Sequence, residues 1–245
     1  MAFGLVVYDL LYLTLATALY WTAAAAGLKC YQRASTILPV PVAAAVGVVG
    51  ALLALILAVG VLCALCPRLK KGRYPMMRGK VFFGWLFRSL LRRILFFPGL
   101  KWVLFSSNVL RYLSLRALGA RVAFTANISA DVDILDPSLL TVGPGAVLGA
   151  RTFISGHYVV GKSLRLDEVR IGANALLALS VVVAPGAVIG EGAVMKPGSA
   201  VSVGGIIGAK ADIGTCALID IKGRVADGAV IEPRGYVPTT RRSAS

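Results

Sequence analysis

Aliphatic residues recur at every sixth position through the second half of the chain, at Ile171, Leu177, Val183, Ile189, Met195, Val201, Ile207, Ile213, Ile219, Val225 and Ile231. An α-helix repeats every 3.6 residues and a strand every 2. A period of six is therefore an internal repeat, and it sets the fold class. The fifth position of most units is small, as at Ala175, Ala187, Ala193, Ser199, Ala211, Ala217 and Ala229, and glycine stands fourth at Gly186, Gly192, Gly198, Gly204 and Gly228. Pro185 and Pro197 directly precede two of those glycines, and Pro-Gly suits a type II turn because proline presets φ and glycine accepts the positive φ that follows. Each hexad thus predicts a short strand plus a corner. Three hexads close a triangular coil of about 18 residues with the aliphatic side chains stacked inside, a parallel β-helix.

The same register runs upstream through Val122, Ile128, Ile134, Val142, Leu148, Ile154 and Val160. It slips twice, with eight residues from Ile134 to Val142 and eleven from Val160 to Ile171, so about two and five residues are expected to bulge out of the coil. Loops on a rigid scaffold are where sites are commonly built. The second loop, 161–170, begins four residues after His157, the only histidine in the sequence.

The first half is of another kind. A mean hydropathy of +0.80 is unusual for a soluble domain of this length. Residues 5–28 and 39–66 are two nearly uncharged apolar runs, each long enough to cross a bilayer that needs about 20 helical residues. They predict a transmembrane hairpin turning at residues 27–37, with Asp9 near an interface. The first run lacks a basic leader and is followed at once by a second span, so an uncleaved anchor is expected.

Residues 1–120 carry 14 Lys and Arg against the single acid Asp9, whereas residues 121–245 carry 12 against 10. Arg68, Lys70, Lys71, Arg73, Arg78 and Lys80 follow the second span directly, while the hairpin turn holds only Lys29 and Arg33. The positive-inside rule then puts everything after residue 67 in the cytoplasm. Residues 81–118 interleave Phe82, Phe83, Trp85, Phe96, Phe97, Trp102 and Phe105 with arginines and lysines, and are broken by Pro98-Gly99. They predict two amphipathic helices in the headgroup region, their cations on anionic lipid. Nucleic acid is not expected as a partner, given so many aromatics beside a membrane span. The expected order is a transmembrane hairpin (1–67), basic juxtamembrane helices (68–120), the β-helix (121–235) and a disordered tail (236–245). The juxtamembrane helices and the tail are each placed to cap an open end of the coil. Cys30, Cys63, Cys66 and Cys216 form no disulfide framework, and the lone Cys63-x-x-Cys66 lacks the second pair a zinc site needs.

The units Ile189-Gly-Glu-Gly-Ala-Val194 and Val142-Gly-Pro-Gly-Ala-Val147 resemble the hexapeptide-repeat family of left-handed β-helix acyltransferases. That resemblance implies the left hand of the coil; the usual crossover rule favours the other. A single histidine excludes the three-histidine zinc site of the carbonic-anhydrase branch, so no metal is expected. Around Ile154-Ser-Gly-His-Tyr158 and Val183-Ala-Pro-Gly-Ala-Val-Ile-Gly-Glu-Gly-Ala193 the chain is similar to maltose, galactoside and xenobiotic O-acetyltransferases. The similarity implies that His157 is a general base, removing the proton of an acceptor hydroxyl or amine as it attacks the thioester of acetyl-CoA or another acyl-CoA; an ordinary imidazole titrates near pH 6.5 and suits that task.

The same family orients substrate with an Asn or carboxylate one or two coils earlier, which points to Asn127, Asp133 and Asp136. Asp136-Pro137 equally suits a plain turn opening. Coenzyme contacts map onto Ala178, Leu179 and Pro197, where this chain departs from the family's Gly, Ser and Ala, and Pro197 has no N–H to donate. Lys196 and Lys210 are the cations placed to meet phosphate. The family also implies a homotrimer with sites between subunits. The acceptor is expected to be a small molecule, glycan precursor or amine. The membrane half, through Pro67-Arg-Leu-Lys-Lys-Gly-Arg-Tyr-Pro75 and Tyr112-Leu-Ser-Leu-Arg-Ala-Leu-Gly-Ala-Arg121, resembles the terminal region of single-module peptide synthetases that make poly-lysine-type polymers, over roughly residues 40–235. That likeness implies an amide-forming unit fed by a carrier-bound aminoacyl thioester. A membrane-tethered scaffold without catalysis is the remaining reading, favoured by the regularity of the hexads from Val201 to Ile231.

Overall fold

The computed structural model describes residues 2–240. Two long helices, α1 (Ala2–Ala34) and α2 (Val40–Leu65), form the expected hairpin, and both are long and apolar enough to cross a membrane. The turn is shorter than the sequence suggests. α1 runs on through Gly27 to Ala34, which puts Lys29 and Arg33 inside the helix, and Pro39 then caps the start of α2. Small residues let the backbones touch: a Cβ on Gly27 would lie 2.7 Å from the Gly47 carbonyl oxygen, and one on Gly50 would lie 2.7 Å from Cys30 Sγ. Such close approach is how apolar helices associate where no hydrophobic force acts between them.

Residues 68–120 fold as a strand (Gly72–Pro75) and three helices, α3 (Gly79–Leu95), α4 (Leu100–Ser106) and α5 (Asn108–Ala117). Two interfacial helices were expected, and the difference is one of packing. Leu90, Leu91, Ile94, Leu95, Leu104 and Leu115 are fully buried in one core with α1, α2 and the first coil. The apolar stripe therefore faces protein, while Phe83, Phe97 and Trp102 stay exposed. Several cations of this segment are spent on carbonyls. Arg111 donates to Ile128 O (2.9 Å) and Ala126 O (3.1 Å), and Lys101 donates to Val132 O (2.7 Å). These oxygens belong to the first coil, which has no coil beneath it, and buried backbone acceptors need partners. The helices thus cap the open end of the coil. Burial disfavours the charged forms and lowers the pKa of both Lys101 and Arg111.

From Arg121 the chain winds into a parallel β-helix of six coils, its short strands stacked in three parallel six-stranded sheets. The repeat residues share register: Val122, Val142, Ile171, Ile189, Ile207 and Val225 on the first face, Ile128, Leu148, Leu177, Met195, Ile213 and Ile231 on the second, Ile134, Ile154, Val183, Val201, Ile219 and Val237 on the third. From Asn174 to Arg234 every fourth position of the hexad has positive φ, including Ser180, Lys210, Cys216 and Lys222 as well as the glycines. The corner geometry is thus imposed by stacking even where the residue does not prefer it. Glycine at the second position serves another purpose. A Cβ on Gly190 would lie 2.5 Å from Ala209 N in the next coil.

One part of the register is corrected. Val160 does not point into the coil; it is 53% exposed and belongs to a hairpin of strands His157–Val160 and Ser163–Leu166. The departure from the coil therefore starts at Gly156 and His157, and inward positions pass directly from Ile154 to Ile171. The alternating run Tyr158-Val-Val160 mimicked one more hexad. At the far end, Tyr236 and Thr239 both donate to Asp220 Oδ2 (2.6 and 3.1 Å), tying the last coil to the one before. Residues 241–245 of the expected tail lie outside the described residues.

Candidate active site

Both insertions leave the coil at the same corner, between the third and first faces. The shorter one is a 3₁₀ turn, Pro137–Leu139, with Asp136 at its start. The longer one is the hairpin that begins at His157, and the strand Gly72–Pro75 joins it as a third antiparallel strand. Gly156 permits the two insertions to meet, since a Cβ there would lie 2.8 Å from Leu139 Cβ and 3.1 Å from Asp136 Cβ. Phe82, Leu139, Leu164 and Leu166 form a separate apolar cluster beneath the hairpin, with Trp85 against its edge.

The result is a buried carboxylate facing the histidine. Asp136 Oδ2 lies 2.6 Å from His157 Nδ1 and accepts from Gly156 N–H at 2.9 Å, and Asp136 Oδ1 accepts from the Trp85 indole N–H at 2.9 Å. The Asp136 side chain is 2% exposed and that of His157 21%. Gly156 and Trp85 are donors only, so Asp136 in its ionised form accepts from Nδ1–H as well, and the neutral imidazole then keeps its free lone pair at Nε2. Nε2 has no hydrogen-bond partner among the described residues. The Trp85 ring meets the imidazole edge-on, centroids 4.8 Å apart, and fixes its plane. Ser155 Oγ, which donates to His157 O (2.8 Å) and accepts from His157 N (3.3 Å), holds the backbone. A dyad of this form can take a proton at Nε2 and stabilise the resulting imidazolium through the carboxylate.

The other candidates fall elsewhere. Asn127 is exposed on the second face of the first coil, away from this corner. Asp133 lies on the third face, 3.5 Å from Arg92 Nη1. Ala178, Leu179 and Lys196 sit at the corner between the second and third faces, so the third face separates them from His157. The Ala178 and Lys196 amides are used in the inter-coil ladder, on Met195 O and Ile213 O, and Lys196 Nζ is 2.9 Å from Asp212 Oδ2. Leu179 is 47% exposed. Trp85, expected on a lipid-facing helix, is instead part of the site. Its only trace in the sequence is an indole N–H that must find a partner when half-buried. Among the described residues no three His, Cys, Asp or Glu side chains gather as a metal site, and the four cysteines are free.

No protein-family model matches the chain, and no curated protein sequence matches it. Among solved structures it is similar to a hexapeptide transferase family protein from Anaplasma phagocytophilum (16% identity, 51% of this chain and 80% of that one, TM-score 0.36). It is also similar to the acetyltransferase domain of PglB from Neisseria gonorrhoeae in complex with acetyl coenzyme A (19%, 52% and 63%, TM-score 0.19). A third is serine acetyltransferase isoform 3 from Entamoeba histolytica in complex with cysteine (14%, 89% and 71%, TM-score 0.25).

Proposed function

We propose that this chain is a membrane-anchored acyltransferase in which His157 is the general base. The observation that carries the reading is the 2.6 Å contact between His157 Nδ1 and the buried Asp136 carboxylate, which supports a lone histidine as a base held in one tautomer. In the proposed reaction Nε2 accepts the proton of an acceptor hydroxyl or amine as that group attacks the carbonyl carbon of an acyl-CoA thioester. The tetrahedral intermediate then collapses with loss of the thiolate, which leaves protonated by the imidazolium. The acyl group ends on the acceptor and coenzyme A leaves as the free thiol. Acetyl-CoA is the simplest donor, and the acceptor is a small molecule or a glycan or amine precursor.

The hairpin α1–α2 anchors the protein. The basic run after α2 supports a β-helix on the cytoplasmic side by the positive-inside rule, the side where acyl-CoA is made, and in this reading the exposed Phe83, Phe97 and Trp102 sit at headgroup level. A homotrimer fits the outer surface of the third face, where Phe153, Val182 and Leu218 are exposed in one row. In such an assembly the coenzyme corner of one copy approaches the His157 corner of the next.

The test is thiol release and acyl transfer by the detergent-solubilised full chain and its His157→Ala variant, with acetyl-CoA and a panel of sugar and amine acceptors. Transfer that falls about a hundredfold or more in the variant supports the reading. Equal activity in both proteins removes His157 from the chemistry, and silence in both across the panel removes acyl-CoA as the donor.

A further inference from the structure

A cavity lies beside the His157 corner rather than in it. It is a cleft of about 640 Å³ where the C-terminal end of α2 meets α3, α5 and the first coil. Four guanidinium-bearing side chains line it, Arg68, Arg88, Arg116 and Arg121, and no Asp or Glu does. Its other wall is small and apolar, with Gly60 and Ala64 of α2 facing Ala117 of α5; a Cβ on Gly60 would already sit 3.3 Å from that of Ala117.

The arginines are poorly neutralised. Among the described residues Arg68 makes no hydrogen bond or ion pair, Arg116 reaches only Ala120 O at 3.5 Å, and Arg121 is 3.9 Å from Glu168 Oε1, a carboxylate shared with Arg170. Arg88 turns one Nη onto Cys63 O, Cys66 O and Pro67 O (2.9, 3.1 and 3.4 Å), and its buried Nε has no partner among the described residues. Four like charges around one cleft repel unless an anion joins them. Planar guanidiniums that line one cleft match the oxygens of phosphate. The apolar wall is the last two turns of a helix long enough to span a bilayer, so the cleft opens at headgroup depth. Its volume exceeds that of one phosphate group and admits the glycerol or sugar attached to it.

We propose that this cleft is a binding site for a phosphate ester, held by Arg68, Arg88, Arg116 and Arg121, with the remainder of the ligand along Gly60, Ala64 and Ala117. The site is distinct from the His157 dyad but shares structure with it. α3 sends Trp85 to Asp136 and, one turn later, Arg88 into the cleft, and Ser138 of the Asp136 turn forms part of the cleft lining. The placement of the cleft at headgroup depth rests on the membrane reading above; the anion chemistry does not.

Binding is measured by native mass spectrometry on the full chain in neutral detergent, in two arms, dioleoyl phosphatidic acid and glycerol 3-phosphate. Arg68→Gln/Arg121→Gln alters two exposed side chains of the cleft, and Lys70→Gln/Lys80→Gln, exposed and outside it, is the charge-matched control. The expected result is one ligand bound to the wild type and to the control, weakened at least about tenfold in the cleft variant. Capture of phosphatidic acid alone identifies a lipid headgroup as the source, and equal capture of both identifies a free phosphate ester; either supports the site. Binding of neither probe, or equal loss in the cleft and control variants, overturns it. The readout is occupancy, so it stands whether or not acyl transfer is found.

Discussion

Replacing Asp136 by Asn changes one atom in the site and separates its three hydrogen bonds. In the native arrangement Oδ2 accepts from both His157 Nδ1–H and Gly156 N–H, and Oδ1 accepts from Trp85 Nε1–H. Asn has one acceptor oxygen and one NH₂. With its oxygen at the Oδ2 position, the NH₂ confronts the Trp85 N–H, donor against donor. With the amide flipped, the NH₂ faces Gly156 N–H, again donor against donor, and Nδ1 must become an acceptor, which moves the proton to Nε2 and removes the proposed base. Either placement leaves one buried donor unsatisfied, at about 1–3 kcal/mol. The two are therefore comparable, and the single tautomer becomes a mixture. Trp85→Phe in the Asp136→Asn background removes the confronting donor from the first placement while keeping a ring beside the imidazole. The same 1–3 kcal/mol then biases the pair back toward Nδ1–H by roughly five- to 150-fold. Because His157 is the only histidine, ¹⁵N-histidine labelling gives the two ring nitrogens of one residue, and their shifts report the tautomer directly. The wild type should show one Nδ1–H species, Asp136→Asn a mixture with activity about a hundredfold or more down, and the double variant a return toward Nδ1–H. A pure Nδ1–H form in Asp136→Asn, or a double variant whose spectrum matches that of the single, would refute the reasoning.

Gly190→Ala should destabilise the coil by roughly 1–3 kcal/mol, because its Cβ at 2.5 Å from Ala209 N forces neighbouring coils apart; chemical unfolding of the detergent-solubilised protein measures it, and an unchanged midpoint contradicts the close-approach account. Lys222→Gly relieves a positive φ of 57° and should stabilise by about 1 kcal/mol in the same assay. Arg111→Met leaves Ile128 O and Ala126 O without their donors and should cost about 2–3 kcal/mol, with hydrogen exchange rising first in the first coil; a rise spread evenly over all coils would count against the capping role. The Ser129 hydroxyl donates to Asp131 at 2.6 Å and holds its carboxyl below the ordinary range. The folded state then binds protons less readily than the unfolded one, so this contribution is full above the ordinary carboxylate value and is lost as the pH falls below it. The melting-temperature gap between wild type and Ser129→Ala should accordingly close on acidification, and a gap constant with pH would sever it from Asp131.

The six-residue period made most of the coil legible, because one inward aliphatic per strand is a strong and redundant constraint. It failed at Val160, where a two-strand hairpin carried an aliphatic residue at the spacing the coil would have used. The period also understated the corners: Pro-Gly marks a left-handed turn plainly, but Lys210, Cys216 and Lys222 adopt the same φ only because the coils on either side dictate it. At the site, His157 and Asp136 were visible as polar residues beside insertions, which is where a solenoid has freedom to build. Trp85 was not, since it arrives from a helix 51 residues before its partner in sequence, and amphipathic periodicity cannot tell a stripe that faces lipid from one that faces protein. Local spacing also gave no sign that the Ala178 and Lys196 amides would be taken up by the inter-coil ladder.

The cations of the first half illustrate the same physics in a more consequential way. Charge excess after an apolar helix is ordinarily assigned to lipid or solvent, yet Lys101 and Arg111 reach carbonyls of the first coil and Arg88 reaches those at the end of α2. A β-helix ends in unpaired strand edges and a helix in unpaired carbonyls, and long cationic side chains serve both because the stem packs while the head donates. On α3 this use of charge is continuous with the site. Trp85 holds Asp136, Arg88 holds the end of α2, Arg92 reaches Asp133 in the first coil, and the carbonyl of Ile94 accepts from Tyr20 of α1. The carboxylate that orients His157 is thus fixed by a helix whose own position depends on the apolar hairpin, so the geometry of the dyad is a property of the whole chain and not of the β-helix alone.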